Sequence, residues 1–216
     1  MPDAQISSPE IPESPIVVEA AVPVRKRPKP GERRVQILEA LATMLEQPGS
    51  ERITTAALAA RLDVSEAALY RHFASKAQMF EGLIEFIEQS VFTLVNQIGE
   101  REAAGNQQAA KVVAMLLQFS EKNPGMTRVM VGDALVFEND RLQQRMNQFF
   151  DKIESTLRQS LRSASEGEGS ATPSVDAQVR ASMLTSFIVG RLQRFARSGF
   201  KRAPSEHLEA SLARML

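Results

Sequence analysis

The 216-residue chain has no cysteine and no tryptophan, a single tyrosine, and only two histidines, His72 and His207. Without thiols it has neither a disulfide framework nor a thiolate metal site. Two histidines so far apart do not supply the ligand set of a metal centre. No run reaches the roughly 18 apolar residues of a membrane-spanning helix, and the N-terminus lacks the basic start and apolar core of a signal peptide. A reducing cytoplasm is the expected setting, with no membrane association. Also missing are a Gly-rich phosphate loop, a Gly-x-Ser-x-Gly elbow and a metal-ligand cluster. Gly167 lies between two glutamates and Gly169 follows the second, a setting that would repel a phosphate, and His207 stands alone near the C-terminus. The expectation is a protein that is not an enzyme, with no catalytic residue, no metal and no cofactor.

Net charge is also lacking: lysine plus arginine and aspartate plus glutamate both number 26. The distribution is uneven. Residues 1–24 carry four acids and no base, residues 25–76 carry ten bases against six acids, and the remainder balances. A basic module on a neutral body suits a polyanionic partner.

Within that module the chain is organised around Ile53–Phe73, which reads as two short helices and a tight turn. Thr54 and Ser65 are N-cap residues, whose hydroxyls accept from otherwise unpaired helical N–H groups. Leu58 and Leu62 share one face, Asp63 is the residue placed to visit the left-handed region at the corner, and Leu69 and Phe73 form the inward face of the second helix. Glu66, Ala67, Ala68, Tyr70, Arg71 and His72 are left outward. A short helix with small residues first and polar ones beyond fits a major groove.

Thr54-Thr55, Leu58-Ala59, Val64-Ser65, Leu69-Tyr70-Arg71-His72-Phe73 and Ser75-Lys76 together resemble the helix-turn-helix of the TetR family of DNA-binding proteins. Asp63 departs from the glycine usual at that turn. The resemblance implies an all-α fold, with an N-terminal three-helix helix-turn-helix domain and a C-terminal helical domain that dimerises and binds a regulator.

The rest of the chain agrees with an all-α reading. Residues 1–30 hold seven of the eleven prolines and no helical period, which predicts a disordered arm. Its basic end, Arg25-Lys26-Arg27-Pro28-Lys29, leads into Arg33 and Arg34 and is expected to lie along DNA. A first helix is predicted over about 32–46, with Val35, Leu38, Leu41, Ala42 and Leu45 inward and Pro48-Gly49 ending it. Ser75 and Gln78 form a capping-box pattern opening a long helix to about Glu100, with Phe80, Leu83, Ile84, Ile87, Val91, Leu94, Val95 and Ile98 along its stripe. Further helices are predicted over 109–121, 138–162 and 175–197, with a short one after Pro204. Residues 126–137 are ambiguous, and 163–174 read as a flexible loop. The expected division is 1–30 arm, 31–76 DNA-binding domain and 77–216 dimerisation and partner-binding domain.

Further blocks narrow the resemblance to the nucleoid-occlusion branch of that family: Gly82 to Glu88, Asn123-Pro124-Gly125-Met126-Thr127-Arg128, Phe137-Glu138-x-Asp140-Arg141-Leu142-Gln143, and Arg194-Phe195-x-Arg197-Ser198-x-Phe200-Lys201. This implies a cytoplasmic, nucleoid-associated homodimer on palindromic double-stranded DNA. Loaded in this way, it would block assembly of the division protein FtsZ over the nucleoid. Its assembly state on DNA beyond the dimer is left open. The alternative is a ligand-responsive repressor of the same fold. Thr54, Thr55, Tyr70, His72 and Lys76 are the expected phosphate contacts, Arg33 and Arg34 are expected to continue the arm along phosphates or into a minor groove, Arg71 is a further expected DNA contact, and Ser65, Glu66, Ala67 and Ala68 lie nearest the bases. Lys122 and Asn123 are the expected partner surface, and 138–162 with 175–197 the expected dimer interface.

Overall fold

The structure, a computed structural model, describes residues 31–47 and 53–216, all helix and turn among the described residues. The disordered-arm expectation for 1–30 and the Pro48-Gly49 stop lie outside them. The first helix, α1 (Glu32–Leu45), leads into α2 (Thr55–Arg61) and α3 (Glu66–Tyr70), and these three form the reader. From there α4 (Lys76–Arg101) runs into a body of α5 (Asn106–Lys122), α6 (Pro124–Met130), a 3-10 turn at Asp133–Leu135, α7 (Asp140–Gly167), α8 (Pro173–Arg197) and α9 (Leu208–Met215).

Local chemistry sets most of these boundaries. The Thr54 hydroxyl accepts from the Ala57 N–H at 3.1 Å, Ser65 from Ala68 at 3.2 Å and Ser75 from Gln78 at 3.2 Å, each satisfying an orphan donor of a first turn. Gln78 does not return its side chain to Ser75, as the capping box would have it; it accepts from the Ala74 N–H at 2.9 Å. Asp63 takes φ 53° at the corner between α2 and α3, so a short polar side chain does here what glycine does elsewhere.

One core runs through reader and body. In α1 the buried positions are Ile37, Leu41, Ala42 and Leu45, while Val35 is 49% exposed. The expected stripe therefore began one residue pair too early: Ile37, Leu41 and Leu45 recur every four residues on the inward face, and Val35 falls on the far side. In α4, Leu94 of the expected stripe lies at the rim, 37% exposed.

Three other expectations need correction. The ambiguous stretch 126–137 resolves into α6, begun by Pro124 at its first turn, and the 3-10 turn after Gly132 at φ 85°. The expected α5 start moves back to Asn106, after Gly105 at φ 145°. Most of the expected flexible loop 163–174 is helical: α7 continues to Gly167, held by the Arg162–Glu166 pair one turn apart and by burial of Ser165. The amphipathic face carries the helix as far as Gly167, and the turn that the composition predicts begins only beyond it, with Gly169 at φ 74°.

The reader is fixed tightly to the body. Gly125 at the start of α6 lies directly on α1, where a Cβ would overlap the Ala42 carbonyl oxygen and come within 3.3 Å of Glu46 Cγ. Arg128 of α6 donates to the Leu45 carbonyl, at the C-terminal end of α1, at 3.3 Å. Along the body α7 and α8 run antiparallel. Their register is set by Gln178, which donates to Glu154 at 2.8 Å and accepts from Arg158 at 2.9 Å.

Candidate nucleic-acid interface

The reader presents a compact polar and small-residue surface. Ser65, Glu66, Ala67, Tyr70 and Arg71 are exposed, with Ala68 and His72 half-buried above Leu69 and Phe73, which are each 1% exposed. This is the division between outward and inward residues that the helical period predicts. The recognition helix has only five residues, too few to be stable alone, so neighbours must hold it. Thr55 donates its hydroxyl to Glu66 Oε2, tying the start of α2 to the start of α3. Arg34 of α1 stacks its guanidinium 4.1 Å over the Phe73 ring and donates to the His72 carbonyl, closing the other end. Arg33 is half-buried beside it.

Charge on this surface is arranged rather than abundant. Among the described residues up to 76, five arginines and lysines face five carboxylates. The basic excess of the span therefore lies in the segment before residue 31, Arg25, Lys26, Arg27 and Lys29 included.

Lys76 stands apart from the other site residues. Its ammonium pairs with Glu138, 62 positions away and just after the 3-10 turn, and lies 5.7 Å from the Phe80 ring centre. Two more pairs continue the line between α4 and α7. Arg141 meets Glu81, and Arg145 grips Glu88 with two bonds, Nε to Oε1 at 3.0 Å and Nη2 to Oε2 at 2.6 Å. The hydrogen bond to Glu88 raises the Arg145 pKa above its ordinary value, with the charges of Glu88, Glu85 and Glu81 adding to it against burial. The forked geometry gives this pair more specificity than a point contact would.

At the expected partner surface, Lys122 is exposed in the last turn of α5. Asn123 is half-buried, and its amide donates to the Phe119 carbonyl at 2.7 Å, so that side chain ends a helix.

The same segments match known proteins. A profile of bacterial regulatory proteins of the tetR family matches residues 37–83, and the SlmA-like form of the tetracyclin repressor-like C-terminal domain matches 107–215. The nucleoid occlusion factor SlmA of Photobacterium profundum is 53% identical over 178 residues, covering 82% of this chain and 90% of that protein. That of Vibrio vulnificus is 50% identical over 182 residues, covering 84% and 92%. The chain belongs to the SlmA family of nucleoid occlusion factors. Its fold is that of the wider TetR-like regulators. The fatty acid degradation regulator FadR of Bacillus halodurans superposes with a TM-score of 0.69 at 15% identity, over 86% of this chain and 95% of that one. Bacillus subtilis FadR, solved with stearoyl-CoA, gives 0.67 at 15%, over 84% and 96%.

Within the SlmA-like pattern the structure gives two of the blocks physical work. Asn123-Pro124-Gly125 ends α5, starts α6 and allows α6 to lie on α1. Glu138 and Arg141 anchor α7 to α4. Glu138, Arg141 and Arg145 were not singled out as site residues from sequence, because their partners lie more than 50 positions away.

Proposed function

We propose that the chain binds a palindromic DNA site as a homodimer through α2 and α3 and, so loaded, restrains FtsZ assembly over the nucleoid. The observation that carries the DNA half is the outward set on α3, held by Thr55–Glu66 at one end and Arg34–His72 at the other. Ser65, Glu66, Ala67 and Ala68 are placed for base edges. Ala67 and Ala68 suit thymine methyls, and Glu66 suits cytosine N4. Arg33, Arg34, Thr54, Thr55, Tyr70, Arg71 and His72 flank that set and suit phosphates, and Lys76, apart from them at the start of α4, suits a flanking phosphate. One α3 reads only a few base pairs, so two copies about 34–36 Å apart multiply specificity. Val175, Val179 and Met183 recur every four residues on α8, each more than half exposed, an apolar stripe suited to pairing with its own copy.

The FtsZ half rests on membership of a family of nucleoid occlusion factors, together with the tight joint between reader and body. Lys122 and Asn123 stand at that joint, and we assign the partner surface there. A second reading, a repressor released by a small apolar ligand, has less support. The cavity of about 590 Å3 between α4, α5 and α7 is open and rimmed by Glu100, Glu102, Gln108 and Gln159, a poor home for such a molecule. Co-sedimentation with FtsZ polymers, with and without specific DNA, tests the proposal. Retention of the chain on polymers together with shorter polymers supports it, and no interaction in either condition overturns it.

A further inference from the structure

The block Arg194-Phe195-x-Arg197-Ser198-x-Phe200-Lys201 has no role in the interface described so far. It ends α8 and turns into a loop of unusual backbone. Gly199, Phe200 and His207 all have positive φ, at 62°, 64° and 54°, and a side-chain-bearing residue persists there only where its surroundings dictate it. The surroundings are clear. The Phe200 N–H returns to the Phe195 carbonyl at 3.0 Å, and the two rings meet at 5.1 Å. The Ser198 hydroxyl accepts from the N–H groups of both Lys201 and Arg202, at 3.1 and 3.0 Å. Pro204 is buried, and Ser205 donates to Glu121 at 2.6 Å.

This rigid loop closes a concave site of about 730 Å3 lined by Arg191, Arg194, Lys201, Arg202, Glu206 and His207. Four permanent cations face one carboxylate, and Glu206 already leans on His207 at 3.7 Å. Arg191 is held in place by Ser211 at 3.4 Å and the Phe187 ring at 4.9 Å. Arginines in the last turn also complement the α8 dipole, but that effect needs neither a concave wall nor Lys201 and Arg202 folded back over it. Gathering like charges in a concavity raises the local potential and favours an anion.

The end of the molecule on which the site lies narrows the ligand. Lys76–Glu138 and Arg141–Glu81 place the start of α7 against the start of α4, beside the reader. The register set by Gln178 with Glu154 and Arg158 brings Arg194 level with the first turn of α7. The basic site therefore opens at the reader end of the body. We propose that it is a phosphate-binding site, with Arg194, Lys201 and Arg202 as the principal ligands of the phosphoryl oxygens. The phosphate belongs either to the DNA backbone between the two readers or to a free phosphorylated molecule.

The test uses the full chain and the variant Arg194→Ala, Lys201→Ala, Arg202→Ala, with Lys201→Ala alone as a second variant that leaves the α8 end intact. One arm measures the salt dependence of specific-DNA binding. If the source is the DNA backbone, the slope of log affinity on log salt falls by about 0.9 for each phosphate no longer neutralised, with site preference unchanged. That arm alone rests on the DNA-binding reading, and a parent chain that failed to bind DNA would count against that reading. The other arm measures the thermal midpoint in pyrophosphate against chloride at matched ionic strength. If the source is a free phosphate, the midpoint of the parent rises by about 3–6 °C at a tenfold excess over the dissociation constant, and the variants show a smaller rise or none. An unchanged slope together with pyrophosphate responses equal in parent and variants overturns the proposal. An acidic peptide that discriminates parent from variants while both phosphate arms stay flat also overturns it.

Discussion

Lys76 has two competing partners. In the protein alone its ammonium rests on Glu138, a carboxylate only 11% exposed; beside DNA, a phosphate would attract the same charge. A pair with one member so shielded is screened less than a surface pair, so the contest is real. Lys76→Ala is expected to weaken binding to all DNA sequences alike and to lower the salt slope by about one unit. A changed site preference with an intact slope would contradict the phosphate role. Glu138→Gln removes the competitor and should tighten DNA binding about threefold, within the range expected of a partly exposed pair. Measured by fluorescence anisotropy, a weaker affinity would mean that Glu138 positions Lys76 rather than competing for it. Ser65 acts more simply. Its hydroxyl satisfies the Ala68 N–H, and Ser65→Ala should cost about 1 kcal/mol of helix-start stability. The visible result should be weaker specific binding with the melting of the body little changed.

Among the elements, α6 ties body to reader by packing directly on α1. Gly125 has no Cβ to push α1 away, and Gly125→Ala forces the two helices apart. Overpacking of this kind costs about 1–3 kcal/mol. The expected outcome is a lower thermal midpoint and faster amide exchange across α1, with α7 and α8 unaffected. Protection of α1 equal to the parent would show that the packing there is soft. Features of this kind divide what sequence could reveal from what it could not. Thr54, Ser65, Ser75 and Asp63 act on backbone within three residues, so their roles were legible from residue type alone. The outward face of α3 followed from the helical period in the same way. Gly125 on Ala42, Arg34 on His72 and Lys76 on Glu138 depend on chain segments that only folding brings together, and no local pattern encodes them. The α7 extension through Ser165 was hidden by two glycines, and Ile37 by a stripe begun at the wrong residue.

At the scale of the whole molecule, a DNA reader is joined to a body suited to dimerisation through ion pairs from α4 to α7 and the α1–α6 packing. Dimerisation through α7 and α8 carries its own prediction. Val179→Asp or Met183→Asp places a charge in the apolar stripe of α8, where burial without a partner is costly. Sedimentation should then show a monomer whose helix content is retained and whose affinity for a palindromic site falls by about a hundredfold or more, since each half-site would be read alone. Whether DNA loading and action on FtsZ belong to one molecule is decided by co-sedimenting FtsZ polymers with the full chain and a specific DNA duplex. Chain and duplex should pellet together with FtsZ, and the polymers should shorten. Lys122→Asp with Asn123→Ser should abolish this while dimer and DNA affinity persist. A chain that binds its duplex tightly yet leaves FtsZ polymers untouched, with the chain wholly in the supernatant, would contradict that joint role.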